Sequence, residues 1–220
     1  HMELTEAIRN RRSIRGFRPE PVPQDTLRRV LELGTRAVSA NNTQPWSFAV
    51  VTGEALERLR TYQMVKLAEN AQPDFAGSPL SGPYLDRGRQ IGRELFAAMG
   101  IERGDRERRG WWSARGFRFF DAPALILVCT DPGLDQGEVR FDLGCVTQNI
   151  CLAALEFGLG TCVEEQAVTY WRGLSERLGL PASQKPVYGI AIGYPDWDFP
   201  ANQVVSQREA VDDLTRWYGF

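Results

Sequence analysis

Histidine is almost missing from this chain: His1 is the only one in 220 residues. Its absence elsewhere excludes a Ser-His-Asp or Cys-His nucleophile and any histidine-ligated metal centre. Lysine is nearly as scarce. Lys66 and Lys185 are the only two among 26 basic residues, so arginine carries the positive charge and its placement is what can be read. Cysteine is present at Cys129, Cys145, Cys151 and Cys162, with no CxxC pair, and each lies in or beside an apolar run. These read as reduced, buried thiols, and no metal site is expected. No segment approaches the roughly 18 uninterrupted apolar residues of a membrane span, and no secretory core follows the first residues. The expected compartment is the cytoplasm, without a membrane partner. A net charge of −2 gives no bulk electrostatic case for binding nucleic acid.

What remains is the composition of an ordinary folded protein, 43% apolar and 25% charged. It contains no internal repeat and no long linker, which implies one domain over residues 1–220, with 1–2 a tag remnant. A short helix over "LTEAIRNRRS" ends near Arg11. "VPQDTLRRVLELGTRAV" is an amphipathic helix with Pro23 in its first turn and Leu27, Val30, Leu31, Gly34 and Val38 on one face. A strand follows around Phe48–Val51, then a helix over "GEALERLRTYQMVKLAEN". The three Pro and two Gly of residues 72–83 mark a loop, and 84–99 is helical. "APALILVCT" and "PVYGIAIGYPD" are strands buried on both faces. Between them "EVRFDLGCVTQNICLAALEFGLG" is a long helix, apolar nearly all round and therefore central. "YWRGLSERLGLP" is another short helix. The tail, about 196–220, is a loop and a short helix with an aromatic end. Long helices outweigh few strands, so the fold class is α+β: a three-layer domain with a small mixed β-sheet covered by helices.

Four stretches could carry chemistry. "RNRRSIRGF" places Arg11, Arg12, Ser13 and Arg15 together with no acid among them. Such a cluster suits a phosphate, or it is a solvated basic face at a helix end. "SANNTQPWSF" concentrates Asn41, Asn42, Thr43 and Gln44, amides and a hydroxyl that match a flat heterocycle or merely satisfy a turn. Pro45 keeps the preceding residue extended and Trp46 anchors the strand behind it. "GLGTCVEEQ", after the central helix, allows close backbone approach to a ligand or simply stops the helix. Arg208 is a lone late cation. A fifth stretch, Asp86–Arg118, carries nine Arg against five acids with Trp111, Trp112 and Phe117. It reads as helices flanking a pocket and not as a nucleic-acid surface.

Taken in order, "RRSIRGF", "NTQPWSF", "APALILV", "FDLGCVTQNICLAAL", "GLGTC", "GIAIGYP" and a late Arg resemble the FMN-dependent nitroreductase family over about Leu4–Arg208. The resemblance implies an intertwined homodimer with one FMN at each end of the interface, touched by both chains. It implies FMN-phosphate ligands at Arg11, Ser13 and Arg208, with Arg12 and Arg15 near the phosphate, ribityl chain or ring edge. It places Asn41, Asn42 and Gln44 against the cofactor from the partner chain, and the backbone at Glu164, Glu165 and possibly Gln166 near flavin N5. Ser206 stands where some relatives have a second basic residue. The cofactor then carries the chemistry: hydride from NADH or NADPH to N5, followed in alternation by reduction of a small aromatic oxidant, a nitroarene or a quinone, with no obligatory catalytic side chain. Residues 72–118 become the variable substrate-side segment, with Trp111, Trp112, Arg115 and Phe117 as substrate-contact candidates and Arg115 suited to an anionic aromatic. The same motifs serve an enone reductase, a reductive dehalogenase or an azoline dehydrogenase, or a non-catalytic flavin-binding protein.

Overall fold

The structure is a computed structural model and describes residues 2–220; His1 lies outside the described residues. Four strands, β1 (Ser47–Thr52), β2 (Ala124–Thr130), β3 (Gly160–Glu164) and β4 (Lys185–Gly193), form one sheet in the order β1-β2-β4-β3. Every neighbouring pair is antiparallel. This corrects the mixed sheet expected from sequence. Every residue of β2 is buried because helices cover both faces of the sheet, so its run reads as apolar whatever the strand direction. Among the described residues the only parallel pairing is an isolated bridge between Ser13 and Thr161.

Alternation along β2 divides the core in two. Ala124, Ile126 and Val128 meet α2 (Gln24–Gly34) and α6 (Gly137–Glu156) through Leu27, Val30, Leu143, Val146 and Ile150. Leu125, Leu127 and Cys129 meet α3 (Gly53–Ala68) and α7 (Trp171–Leu178) through Leu56, Leu59 and Leu174. The result is helix, sheet, helix: three layers, as expected. The apolar spacing of α2 works as read for Leu27, Val30 and Gly34, which are buried, whereas Val38 falls beyond the helix and is exposed. Gly34 marks the crossing of α2 and α6, because a Cβ there would collide with Ile150. The remaining helices are α1 (Leu4–Asn10), α4 (Gly82–Ala98), α5 (Arg106–Phe117) and the short α8 (Val211–Leu214). The "GLGTC" stretch is not only a helix stop. Gly158, at φ 70°, ends α6, and Gly160 opens the edge strand β3. No helix among the described residues is long and apolar enough to cross a membrane.

Between α5 and β2 the chain makes an unusual turn. Phe119, Phe120 and Asp121 all hold positive φ, 55°, 50° and 56°. Such values cost non-glycine residues of order 1–3 kcal/mol each and persist only where the surroundings enforce them. Three arginines enforce them here. Arg60 donates to the carbonyls of Arg118 and Ala122, Arg118 to the Asp121 carboxylate, and Arg115 to Asp121 and the Phe120 carbonyl.

Candidate active site

After α1 the chain runs extended beside β3. The Ile14 N–H donates to the Thr161 carbonyl at 2.9 Å, and Arg18 N–H to Tyr194 O at 2.9 Å. Ile14 is buried against bare Gly160, where a Cβ would strike it. Residues alternate along an extended chain, so Arg11, Ser13 and Arg15 share the side opposite Ile14. Ser13 hydrogen-bonds Cys162, and Arg15 lies near Cys162 and Glu164. None of Arg11, Ser13 and Arg15 is paired with a carboxylate among the described residues.

A residue that sequence reading missed fixes this segment. Asn202, 0% exposed, lies in the turn Pro200–Gln203. Its Oδ1 accepts from the N–H groups of Arg15 at 2.7 Å and Gly16 at 3.2 Å. Its Nδ2 donates to the carbonyls of Gly16 and Asp196, both at 2.7 Å. Arg12 points to the tail, donating to the Asn202 carbonyl at 3.4 Å and lying 5.6 Å from the Trp197 ring.

Beside this segment is a cavity of about 500 Å³ whose walls include Arg15, Phe96, Trp112, Phe120, Glu164 and Gln166. Glu165 lines it too. Glu164 is 7% exposed, and neither carboxyl oxygen has a hydrogen-bond partner. Burial raises its pKa well above the ordinary carboxylate range, with nearby Arg15 opposing. Burial likewise pushes the Cys162 thiol up to about 12, leaving it inert.

Of the four substrate candidates, Trp112 lines the cavity, stacked on Phe199 at 6.4 Å. Phe96 and Phe120 also line it and were not foreseen. Arg115 is not among the residues that line it. It is 9% exposed and donates to the Arg15 carbonyl at 2.7 Å, to the Phe120 carbonyl and to Asp121. Desolvation lowers its pKa, with Asp121 opposing. Phe117 stacks on Tyr170 at 6.2 Å, and Trp111 is exposed beneath the Arg115 guanidinium; neither lines the cavity. Arg208 folds onto its own Ser206 hydroxyl at 2.8 Å, in a groove between the tail and α4 that also holds Arg87 and Glu209.

The amide loop lies elsewhere. Asn41, Asn42 and Gln44 hold φ of 50°, 55° and 49°, a region Asn tolerates best among side-chain-bearing residues. Asp142 accepts from Ala40 N–H at 3.3 Å, and the Thr130 hydroxyl donates to the Pro45 carbonyl at 2.7 Å, so the loop is braced from behind. The side chains of Asn41 and Asn42 take no hydrogen bond among the described residues and are exposed. The register gives their distance from the arginines. Ser13 bridges Thr161, which is level with Ile192, Ala124 and Thr52 in turn, whereas the loop enters β1 at its far end, Ser47. Four strand spacings across and five residues along put Ser47, where the loop enters β1, roughly 25 Å from Ser13.

The Nitroreductase family model matches residues 8–194. The nitrobenzene nitroreductase of Ectopseudomonas oleovorans is 35% identical, over 96% of this chain and 95% of its own length. The FMN- and NADPH-dependent nitroreductase NfnB of a Sphigopyxis strain superposes with a TM-score of 0.94 at 30% identity, covering 100% of both chains. The FMN-dependent NfnB of Mycobacterium smegmatis, solved with NADPH, gives 0.90 at 30% identity over 98% of this chain and 100% of its own. A match of this extent to the family model, with relatives of this identity along the whole fold, establishes that the chain belongs to the nitroreductase family.

Proposed function

We propose that the protein is an FMN-dependent oxidoreductase that uses NAD(P)H to reduce nitroaromatic compounds, with quinones as further oxidants. The single observation that carries this is the pinned segment bearing Arg11, Ser13 and Arg15 at the edge of the cavity. Two guanidinium groups and a hydroxyl, none of them paired with a carboxylate among the described residues, suit a phosphate, which arginine grips in a fork of two hydrogen bonds. The adjoining cavity, walled by Phe96, Trp112 and Phe120, has the aromatic surface and the size for a flat ring system. The donor set and the cavity therefore fit FMN, and the near relatives named as FMN-dependent support the same reading.

When bound, FMN would supply the two-electron redox chemistry that links the nicotinamide to the oxidant. The chain's part is to bind and to orient. Arg11 and Ser13 hold the phosphate, with Arg208 and Arg12 available from the tail side. Arg15 presents a cation to the cavity, and the backbone at Glu164 and Glu165 forms its floor. Trp112 and Phe120 provide apolar surface for the oxidant and exclude water.

The working unit is a homodimer. The strand that the loop of Asn41, Asn42 and Gln44 enters begins roughly 25 Å from Ser13, and this separation supports a site whose arginines and amide loop come from different chains. A second copy can bring its loop to the first copy's arginines. Leu4, Ile8, Leu33 and Phe141 on α1, α2 and α6 are exposed, and such apolar surface is available for a partner.

The purified protein, given FMN, is expected to turn yellow, to bleach anaerobically with NADH or NADPH, and to regain colour with a nitroarene. A protein that stays colourless with added FMN would sink the proposal. Replacing Arg11 and Ser13 by Ala should weaken FMN binding roughly ten- to hundredfold, the range for loss of charge-assisted bonds.

A further inference from the structure

The cavity wall holds one group that the proposed chemistry does not use, the carboxyl of Glu164. We propose that Glu164 is a positioning residue that stays a neutral carboxylic acid, leaving the Arg15 guanidinium as an uncompensated cation for an anionic group seated in the cavity. This rests on the FMN reading for the identity of that anion.

The geometry carries it. Both Glu164 oxygens are shut away from solvent, and among the described residues they accept from no donor and form no ion pair. An ionised carboxylate without hydrogen bonds or a contacting cation is not stable in such a place; the group keeps its proton instead. Arg15 is fixed in the complementary state. Asn202 takes its N–H, Arg115 takes its carbonyl, and its guanidinium makes only a long 3.4 Å bond to the Ser13 carbonyl. The backbone of Arg15 cannot swing toward Glu164, and the guanidinium has no carboxylate to neutralise it. The other groups nearby do not alter this balance. Cys162 on β3 is held as a neutral thiol, Arg115 on α5 is paired with Asp121 at 3.2 Å, and Glu165 follows Glu164 out of the strand to a more exposed position. Ionisation of Glu164 would cancel the Arg15 charge at the cavity and weaken its hold on an anion.

The sign of the linkage follows. The folded protein binds the Glu164 proton more tightly than the unfolded chain does. The stability this gives is complete below the ordinary carboxylate range and is lost as pH rises toward the raised folded value.

The test compares wild type with Glu164→Gln and Glu164→Met, which keep the volume without the charge. Denaturant unfolding is followed from about pH 5 to pH 9, alongside FMN titration at neutral pH. Wild-type stability should fall with rising pH, and both variants should flatten that fall. The FMN dissociation constant of Glu164→Gln should stay within about threefold of wild type, since no charge is removed. A pH slope retained in both variants, or FMN binding in Glu164→Gln tightened by more than about threefold, overturns the proposal. The slope needs no cofactor. A wild type that binds no FMN would therefore overturn the functional reading alone and leave the slope to decide Glu164.

Discussion

Asn202→Ala should cost about 3–4 kcal/mol of unfolding free energy and weaken FMN binding more than tenfold. The side chain is fully enclosed and makes four hydrogen bonds, all to main-chain groups. Alanine leaves those donors and acceptors buried without partners, and each unsatisfied group costs about 1–3 kcal/mol before relaxation. Because two of the bonds hold the N–H groups of Arg15 and Gly16, the loss reaches the cation at the cavity. Asn202→Asp keeps both acceptor bonds but turns the two donor bonds into carboxylate–carbonyl contacts, so it should not restore wild-type stability. Urea unfolding and FMN titration of the same samples check both effects. A loss below about 1 kcal/mol would show that the turn Pro200–Gln203 does not hold the segment.

Arg115→Ala should cost about 2–4 kcal/mol, because one guanidinium serves three acceptors on two stretches of chain. It joins the Arg15 carbonyl to the positive-φ turn at Phe120 and Asp121. Without it, the turn loses part of what enforces its strain. Arg115→Lys should not restore stability, since an ammonium cannot reproduce the planar fork that serves these acceptors. Activity with neutral and with carboxylated nitroarenes should fall in the same proportion, because the guanidinium is engaged inside the protein. A selective loss with the carboxylated substrate would show that Arg115 reaches the oxidant after all.

These two residues mark where sequence reading reached its limit. Arg11, Ser13 and Arg15 could be singled out because they lie within five positions and lack an acid. Asn202 sits in the unremarkable "FPANQ", and its partner Gly16 is 186 residues away. Nothing local distinguishes it, and only the fold brings the two together. Arg115 drew attention because it stands among aromatic residues, while the acceptors it donates to are visible only once Arg15 and Asp121 are placed. The two positive-φ turns show the same difference. Consecutive Asn at 41 and 42 signal a left-handed turn, because their side chains tolerate it. Phe119 and Phe120 signal nothing of the kind, and arginines from α3 and the end of α5 force them into it.

The layers were legible where apolar spacing is long enough to count. α2 and α6 followed their patterns, and β2 and β4 read as buried. Strand direction did not, since burial on both faces hides it. β3 was too short, and opens with a glycine, so it looked like a terminator. The amide loop was legible as a feature, and only the resemblance assigns it to a flavin. Its separation from the arginines was not, because that distance depends on the register of all four strands.

That separation is the centre of the proposed function: each site takes its arginines from one chain and its amide loop from the other. The direct measurement mixes two defective chains, one carrying Arg11→Ala and Arg15→Ala, the other Asn41→Ala, Asn42→Ala and Gln44→Ala. They are refolded together and the hybrid dimer is isolated by distinct affinity tags. Shared sites predict that the hybrid has one doubly damaged site and one intact site. It should then bind FMN with wild-type affinity at half the wild-type stoichiometry, although each variant alone binds weakly. A hybrid that binds no better than its parents would show that each site is built within one chain, and would contradict the account.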